Sequence, residues 1–187
     1  MTLNSYLGTI EWNEVRGLTK TLNLKLENDM VEEEKKEFYD DYAKFKALPK
    51  GDEKVDAIVG MVDALCDYTF VAVGTDSKAA LNVLSLNDKV VLQALKDDME
   101  KQISLMTTII THILGNYLDL DACYGYVLEQ NNKKPNKQDV NGKNTKGDVW
   151  EDPKHMIKAH IMTLPIISEY IDLPEKASEA SVKGKQK

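Results

Sequence analysis

Wound as a helix, residues 54–74 (KVDAIVGMVDALCDYTFVAVG) turn apolar side chains in nearly every direction, so the segment has to be covered on all sides. The chain must therefore build a bundle around it, alone or with further copies. One chain of 187 residues could barely do this. The partners for that helix are at hand. Only five prolines and ten glycines interrupt the sequence, β-branched alternation is scarce, and helix formers fill the stretches between breaks. The spacing predicts a first helix from 18 or 21 to 45, stopped by Leu48-Pro49-Lys50-Gly51, and a second from 52 to 73, ending near Gly74-Thr75-Asp76. A short helical piece follows at 77–84. A long helix spans 86–114, with Ser85 or Asn87 as cap and Gly115-Asn116 as stop, and another covers 118–129. Residues 131–153 read as a polar Lys/Asn/Gly-rich loop, and 155–171 as a packed segment bent or split at Pro165. The small, charged residues 175–187 read as a disordered tail. The expected class is all-α: one helical-bundle domain over 1–174.

Composition removes several functions. The chain is 42% hydrophobic, enough for a packed core, and carries 24 Lys+Arg against 31 Asp+Glu, a net charge of −7. Arg16 is the single arginine, and arginine is the usual reader of phosphate and guanine, so no nucleic-acid partner is expected. The N-terminus lacks a basic start followed by an apolar run, and no uninterrupted apolar stretch is long enough for a span. A cytoplasmic protein with no membrane partner is expected. Cys66 and Cys123 are too few for a disulfide framework and read as buried free thiols. His112, His155 and His160 form no zinc-type cluster.

The carboxylates are the anomaly. On the first helix, at ~100° per residue, the apolar positions Leu24, Leu26, Met30, Val31, Phe38, Tyr42 and Phe45 share one arc. Glu34 and Glu37 fall inside that arc and Glu33 at its edge, whereas Glu32 and Lys36 point away. On the second helix Asp56, Asp63 and Asp67 lie within ~40° of one another, on a stripe shared with Gly60 and Gly74. Small residues beside carboxylates leave room for a ligand. Ionised acids on an inward face cost several kcal/mol unless paired or bound to a cation, and neither helix carries an arginine. Mg²⁺ or Mn²⁺, which prefer oxygen ligands, would answer this; protonated acids or a water-filled groove are the alternatives. Asp56 also suits the first turn of its helix, where the macrodipole favours an acid.

Glu33-Glu34-Lys35-Lys36-Glu37 reads as E-E-x-x-E. The segment Asp63-Ala64-Leu65-Cys66-Asp67, continuing to Phe70 and Gly74-Thr75, is similar to the D-A-L-A-D-x-x-Y-V-x-x-G-T run of phage-type members of the MazG/HisE-like all-α nucleotide pyrophosphohydrolase superfamily. The run from Val127 through Asn131, Asn132 and Lys134, followed by Asn141-Gly142-Lys143 and Lys146-Gly147, resembles the same family's Asn/Lys tail, with Pro153 where the family has its proline. The likeness covers about 21–75 and 115–153, leaving 76–114 as a helical insertion. Three positions depart from the pattern: Ala64 stands three before Asp67, Phe70 replaces a tyrosine and Leu128 a histidine.

The resemblance implies Mg²⁺-dependent hydrolysis of a nucleoside triphosphate between the α- and β-phosphates, giving a monophosphate and pyrophosphate, with Mn²⁺ as a possible substitute. It implies metal ligands at Glu34, Glu37, Asp63 and Asp67, with Glu33 as the group that orients or deprotonates water. It further implies phosphate or sugar contacts from Asn131, Lys134 and Lys146, in a dimer or a dimer of dimers. Apart from the resemblance, Trp150 reads as an anchor for the polar loop's return to the body, with stacking on a base as the alternative. The competing reading is a non-catalytic helical interaction protein that keeps the fold; a further one is another diphosphate substrate on the same scaffold.

Overall fold

The computed structural model describes residues 3–140 and 142–171, and these form an all-α bundle. Among the described residues the α-helices are α1 (Leu3–Val15), α2 (Leu24–Ala47), α3 (Asp52–Leu81), α4 (Leu86–Leu114), α5 (Leu120–Lys133) and α6 (Lys154–Ile161), with 3-10 turns at Leu18–Lys20, Gly115–Tyr117 and Pro165–Glu169. The tail expected to be disordered, 175–187, lies outside the described residues.

Helix α3 is the axis. Every residue from 57 to 66 is buried, and α1, α2, α4, α5 and α6 all pack against it. Over that stretch the all-round cover its composition demands comes from a single chain. Further along α3, Phe70, Val71 and Val73 are only partly covered and Leu81 is exposed. Helix α3 is also the one described helix long and apolar enough to cross a membrane, yet 78% of its most apolar window is buried inside the bundle.

Helices α2 and α3 run antiparallel. At one end Lys54 Nζ donates to the carbonyls of Phe45 and Leu48 (2.7 and 2.8 Å). At the other, Thr75 Oγ1 and Lys78 Nζ donate to Glu27 (2.8 and 2.7 Å). Helix α2 starts at Leu24, later than the periodicity alone suggests, because the Asn23 side chain accepts the Leu26 N–H and caps it there. Val31 and Phe38 drive its apolar face into the core. Helix α4, with Met99 and Met106 in the core, packs on both α3 and α2, and Tyr39 Oη donates to Gln102 Oε1 (3.0 Å). It begins at the Ser85 cap and ends at Gly115, whose φ of +65° disfavours any residue with a side chain.

Four expectations need correction. Helix α3 does not stop near Gly74-Thr75-Asp76 but continues to Leu81, absorbing the piece expected at 77–84. Thr75 is held in the helix by Glu27, and the true stop is Asn82, whose Nδ2 donates to the carbonyls of Lys78 and Thr19 (2.7 and 2.9 Å). Second, the space beside Gly60 and Gly74 is already taken by protein. A Cβ on Gly60 would overlap the Asp41 carboxylate, and one on Gly74 would lie 3.2 Å from Asn13 Nδ2. Third, α1 was not foreseen. Its buried face is Thr9, Trp12 and Asn13, too polar for an apolar stripe, and Gly8 sits where Leu128 of α5 leaves no room for a Cβ. Fourth, α5 runs on to Lys133, so Asn131 belongs to its last turn and not to a loop. Arg16 completes that helix end: its Nη2 donates to the carbonyls of Asn132 and Lys134 (3.3 and 3.1 Å), while its guanidinium stacks on Trp12.

Candidate active site

A cavity of about 940 Å³ opens between α1, α2, α3, the end of α5 and the 134–154 segment. Glu33, Glu34, Glu37, Asp63, Asp67, Asn131, Lys134 and Lys146 all line it. The antiparallel pairing of α2 and α3 is what faces the two acidic motifs across a shared gap, one from each helix. Asp56, by contrast, is exposed and paired with Lys158 (2.6 Å), away from the cavity.

The acids are not alike. Asp63 is buried; its Oδ2 lies 3.5 Å from Lys154 Nζ and its buried Oδ1 has no hydrogen-bond partner. Burial, then the charge of Asp67, pushes its carboxyl up to about 8. Glu34 is half-buried, and burial followed by the charges of Asp67, Glu37, Glu33 and Asp63 raises it to about 9. Asp67 is partly buried and lines the cavity. Burial raises it to about 6, and Lys134, Lys154 and Lys146 hold it below its neighbours. Glu37 is exposed at the mouth, further out than its place on the helical arc suggests. Glu33 stands at the rim, half-exposed and paired with Lys143 Nζ of the polar loop.

The opposite wall carries the cations. Lys134 is partly buried, and burial lowers its pKa against the attraction of Asp67. Lys146 is exposed and lies over the Trp150 ring, 3.9 Å from the centroid. The loop folds back on itself through Thr145 N–H to the Lys137 carbonyl (2.9 Å) and Asp139 N–H to the Lys143 carbonyl (2.8 Å). Lys154, at the start of α6, completes the set. It was missed in the sequence because nothing about a lysine after a proline marks it as facing an acid.

As a donor set the cavity offers oxygen: no His or Cys lines it. Among the described residues, no group of three or more His, Cys, Asp or Glu is already drawn together tightly enough to hold a metal ion. The residues present nevertheless suit a hard divalent cation in chemistry. The carboxylates of Glu34, Glu37, Asp63 and Asp67 border the cavity, Asp63 has an orphaned buried oxygen, and burial with mutual repulsion raises Glu34 and Asp63.

A stability consequence follows. Glu34 and Asp63 bind protons more tightly folded than unfolded, where they titrate near 4.5 and 3.8. Their favourable protonated state is fully present below about pH 4 and is lost as pH climbs through about 8 and 9. In the absence of divalent cations, the melting temperature is expected to fall across this window. Excess Mg²⁺ should restore it at pH 8–9 and do little at pH 5. A melt series with and without EDTA checks this; equal Mg²⁺ effects at both pH values would count against it.

No protein-family profile, curated protein or solved structure matches this chain.

Proposed function

We propose that this chain is a Mg²⁺-dependent nucleoside triphosphate pyrophosphohydrolase of the MazG/HisE-like kind, releasing a nucleoside monophosphate and pyrophosphate. One observation carries the reading: Glu34, Glu37, Asp63 and Asp67 from two antiparallel helices border the same cavity as Lys134, Lys146 and Lys154. Acids alone would repel a triphosphate, and lysines alone would leave buried acids without a purpose. A metal–triphosphate complex satisfies both walls at once.

In this reading Glu34, Glu37, Asp63 and Asp67 hold Mg²⁺, with Mn²⁺ as substitute; bound there, the ion neutralises phosphate charge and makes water more acidic. Lys134, Lys146 and Lys154 bind phosphate oxygens as point charges, and Asn131 contacts phosphate or sugar. Water adds to the α-phosphorus, the bond from that phosphorus to the α,β-bridging oxygen breaks, and pyrophosphate leaves. Glu33 takes the proton of the attacking water once substrate phosphates draw Lys143 away from it. No covalent intermediate is needed, in keeping with a cavity that, among the described residues, has no serine, cysteine or histidine in its lining.

The test is a panel of NTPs and dNTPs, dUTP included, assayed with Mg²⁺ or Mn²⁺ for both pyrophosphate and orthophosphate. The expected result is monophosphate and pyrophosphate in equal amounts from at least one nucleotide. Orthophosphate as the direct product, or no release from any nucleotide with either metal, ends the proposal and leaves an interaction role for the fold.

A further inference from the structure

Asp63 is an acid only half answered by the protein. It is 6% exposed, its buried Oδ1 meets no hydrogen-bond partner, and its Oδ2 lies 3.5 Å from Lys154 Nζ. A charge-assisted hydrogen bond closes to about 2.7–2.9 Å, so this ammonium stands near the carboxylate without fully engaging it. Among the described residues, Lys154 is nonetheless the one lysine within ion-pair distance of Glu34, Glu37, Asp63 or Asp67. Lys143 and Lys146 have other stations, on Glu33 and on the Trp150 ring. The backbone of Lys154 is fixed. Glu151 N–H donates to Gln130 Oε1 (3.0 Å), Lys154 N–H donates to Asp152 Oδ1 (3.0 Å), and Ile157 and Ile161 bury one face of α6. From that fixed start a flexible four-carbon stem enters the cavity lining, its side chain 43% exposed.

We propose that Lys154 is an exchange residue: it stands on Asp63 in place of a divalent cation, and passes to a phosphate oxygen when that cation binds. The inference rests on the metal-and-phosphate reading of the cavity. It adds that the two ligands are coupled through one side chain, which belongs to neither acidic motif. The physical reason is charge. An ammonium brings one charge to a wall of four carboxylates and leaves Oδ1 bare. A hard divalent cation brings two charges and takes carboxylate oxygens as ligands. Lys154, once displaced, is a cation beside a cation, and a polyphosphate relieves both. Metal and phosphate then strengthen each other's binding by the same factor.

The experiment follows Mn²⁺ binding, through the paramagnetic signal of the free ion, in the absence of any phosphate. Inorganic tripolyphosphate is titrated separately by calorimetry at saturating Mg²⁺. Lys154→Met removes the ammonium and keeps the stem; Lys154→Gln serves if the methionine variant does not fold. Lys146→Met, which removes a lysine of the same wall with no acid beneath it, is the comparison. The expected result is two effects of opposite sign from one substitution. Lys154→Met tightens Mn²⁺ binding about three- to tenfold, because a competing cation is gone, and weakens tripolyphosphate binding about tenfold or more. Lys146→Met weakens tripolyphosphate binding without tightening Mn²⁺ to that extent. Mn²⁺ affinity unmoved or reduced by Lys154→Met, equal tightening by Lys146→Met, unchanged tripolyphosphate affinity, or no Mn²⁺ binding by the unaltered chain overturns the exchange. The two proposals fail separately. Opposite effects on Mn²⁺ and tripolyphosphate without pyrophosphate release from any nucleotide keep the exchange and end the hydrolase; pyrophosphate release with an Mn²⁺ affinity that Lys154→Met leaves unmoved does the reverse.

Discussion

Glutamine in place of Glu34 is expected to abolish pyrophosphate release and, in the same protein, to raise the melting temperature of the metal-free form at pH 8. The two effects share a cause. Glu34 is held to about 9 by burial and by Asp67, Glu37, Glu33 and Asp63, so at pH 8 the folded chain keeps a proton that the unfolded chain releases. That difference weakens the fold, and a neutral amide of the same shape removes it. The gain should vanish near pH 4, where the acid is protonated in both states. At about 2–4 °C for each kcal/mol in a chain of this size, the shift at pH 8 amounts to several degrees. Activity should move the other way, by about 10²–10³-fold or more, the scale seen when a preorganised charge-stabilising group is lost. Melts at pH 4 and 8 with EDTA, beside a pyrophosphate assay, read both. A variant less stable at both pH values would show that Glu34 is a structural acid.

The second large effect lies at the other end of the same helix pair. Glu27 is 2% exposed; it accepts from Thr75 Oγ1 and from Lys78 Nζ, itself only 12% exposed, and this ties the start of α2 to the last turns of α3. Removing one partner of a buried pair leaves an uncompensated charge. Glu27→Ala is therefore expected to cost about 3–5 kcal/mol. Replacing both members, as in Glu27→Met with Lys78→Met, should recover most of it, because the desolvation cost of both charges disappears together. Urea unfolding of the single and double variants measures the coupling. A single-variant loss below about 1 kcal/mol would place the pair with exposed salt bridges, which contribute little. Because Glu27 and Lys78 also line the cavity, the pair braces part of its wall.

Some of the site was legible early because charge on an inward helical face is a local contradiction. Glu34, Asp63 and Asp67 stand out from apolar neighbours within their own helices, and a period of 3.6 residues is enough to see it. The other half follows no such rule. Trp12, Asn13, Glu27 and Lys154 sit among polar residues, so each looks like ordinary surface until the bundle closes over it. Helix α1 escaped for the same reason: what it buries is polar, and its apolar Leu3, Leu7 and Val15 are exposed. The expected end of α3 at Gly74 failed because a glycine signals a stop only when nothing else holds the helix. Here Glu27, bonded to Thr75 and Lys78, holds it from outside.

The amino-acid order alone determined that this protein is helical, that residues 54–74 form its buried axis, and that acids of two successive helices share faces with apolar residues. Those features depend on periodicity and composition, which act over one or two turns. Only the tertiary structure decided that one chain covers the axis from 57 to 66, that Gly60 and Gly74 make way for Asp41 and Asn13, and that Lys134, Lys146 and Lys154 face the acids. These depend on which side chains meet across long sequence separations, and burial and electrostatics there are properties of the assembled bundle.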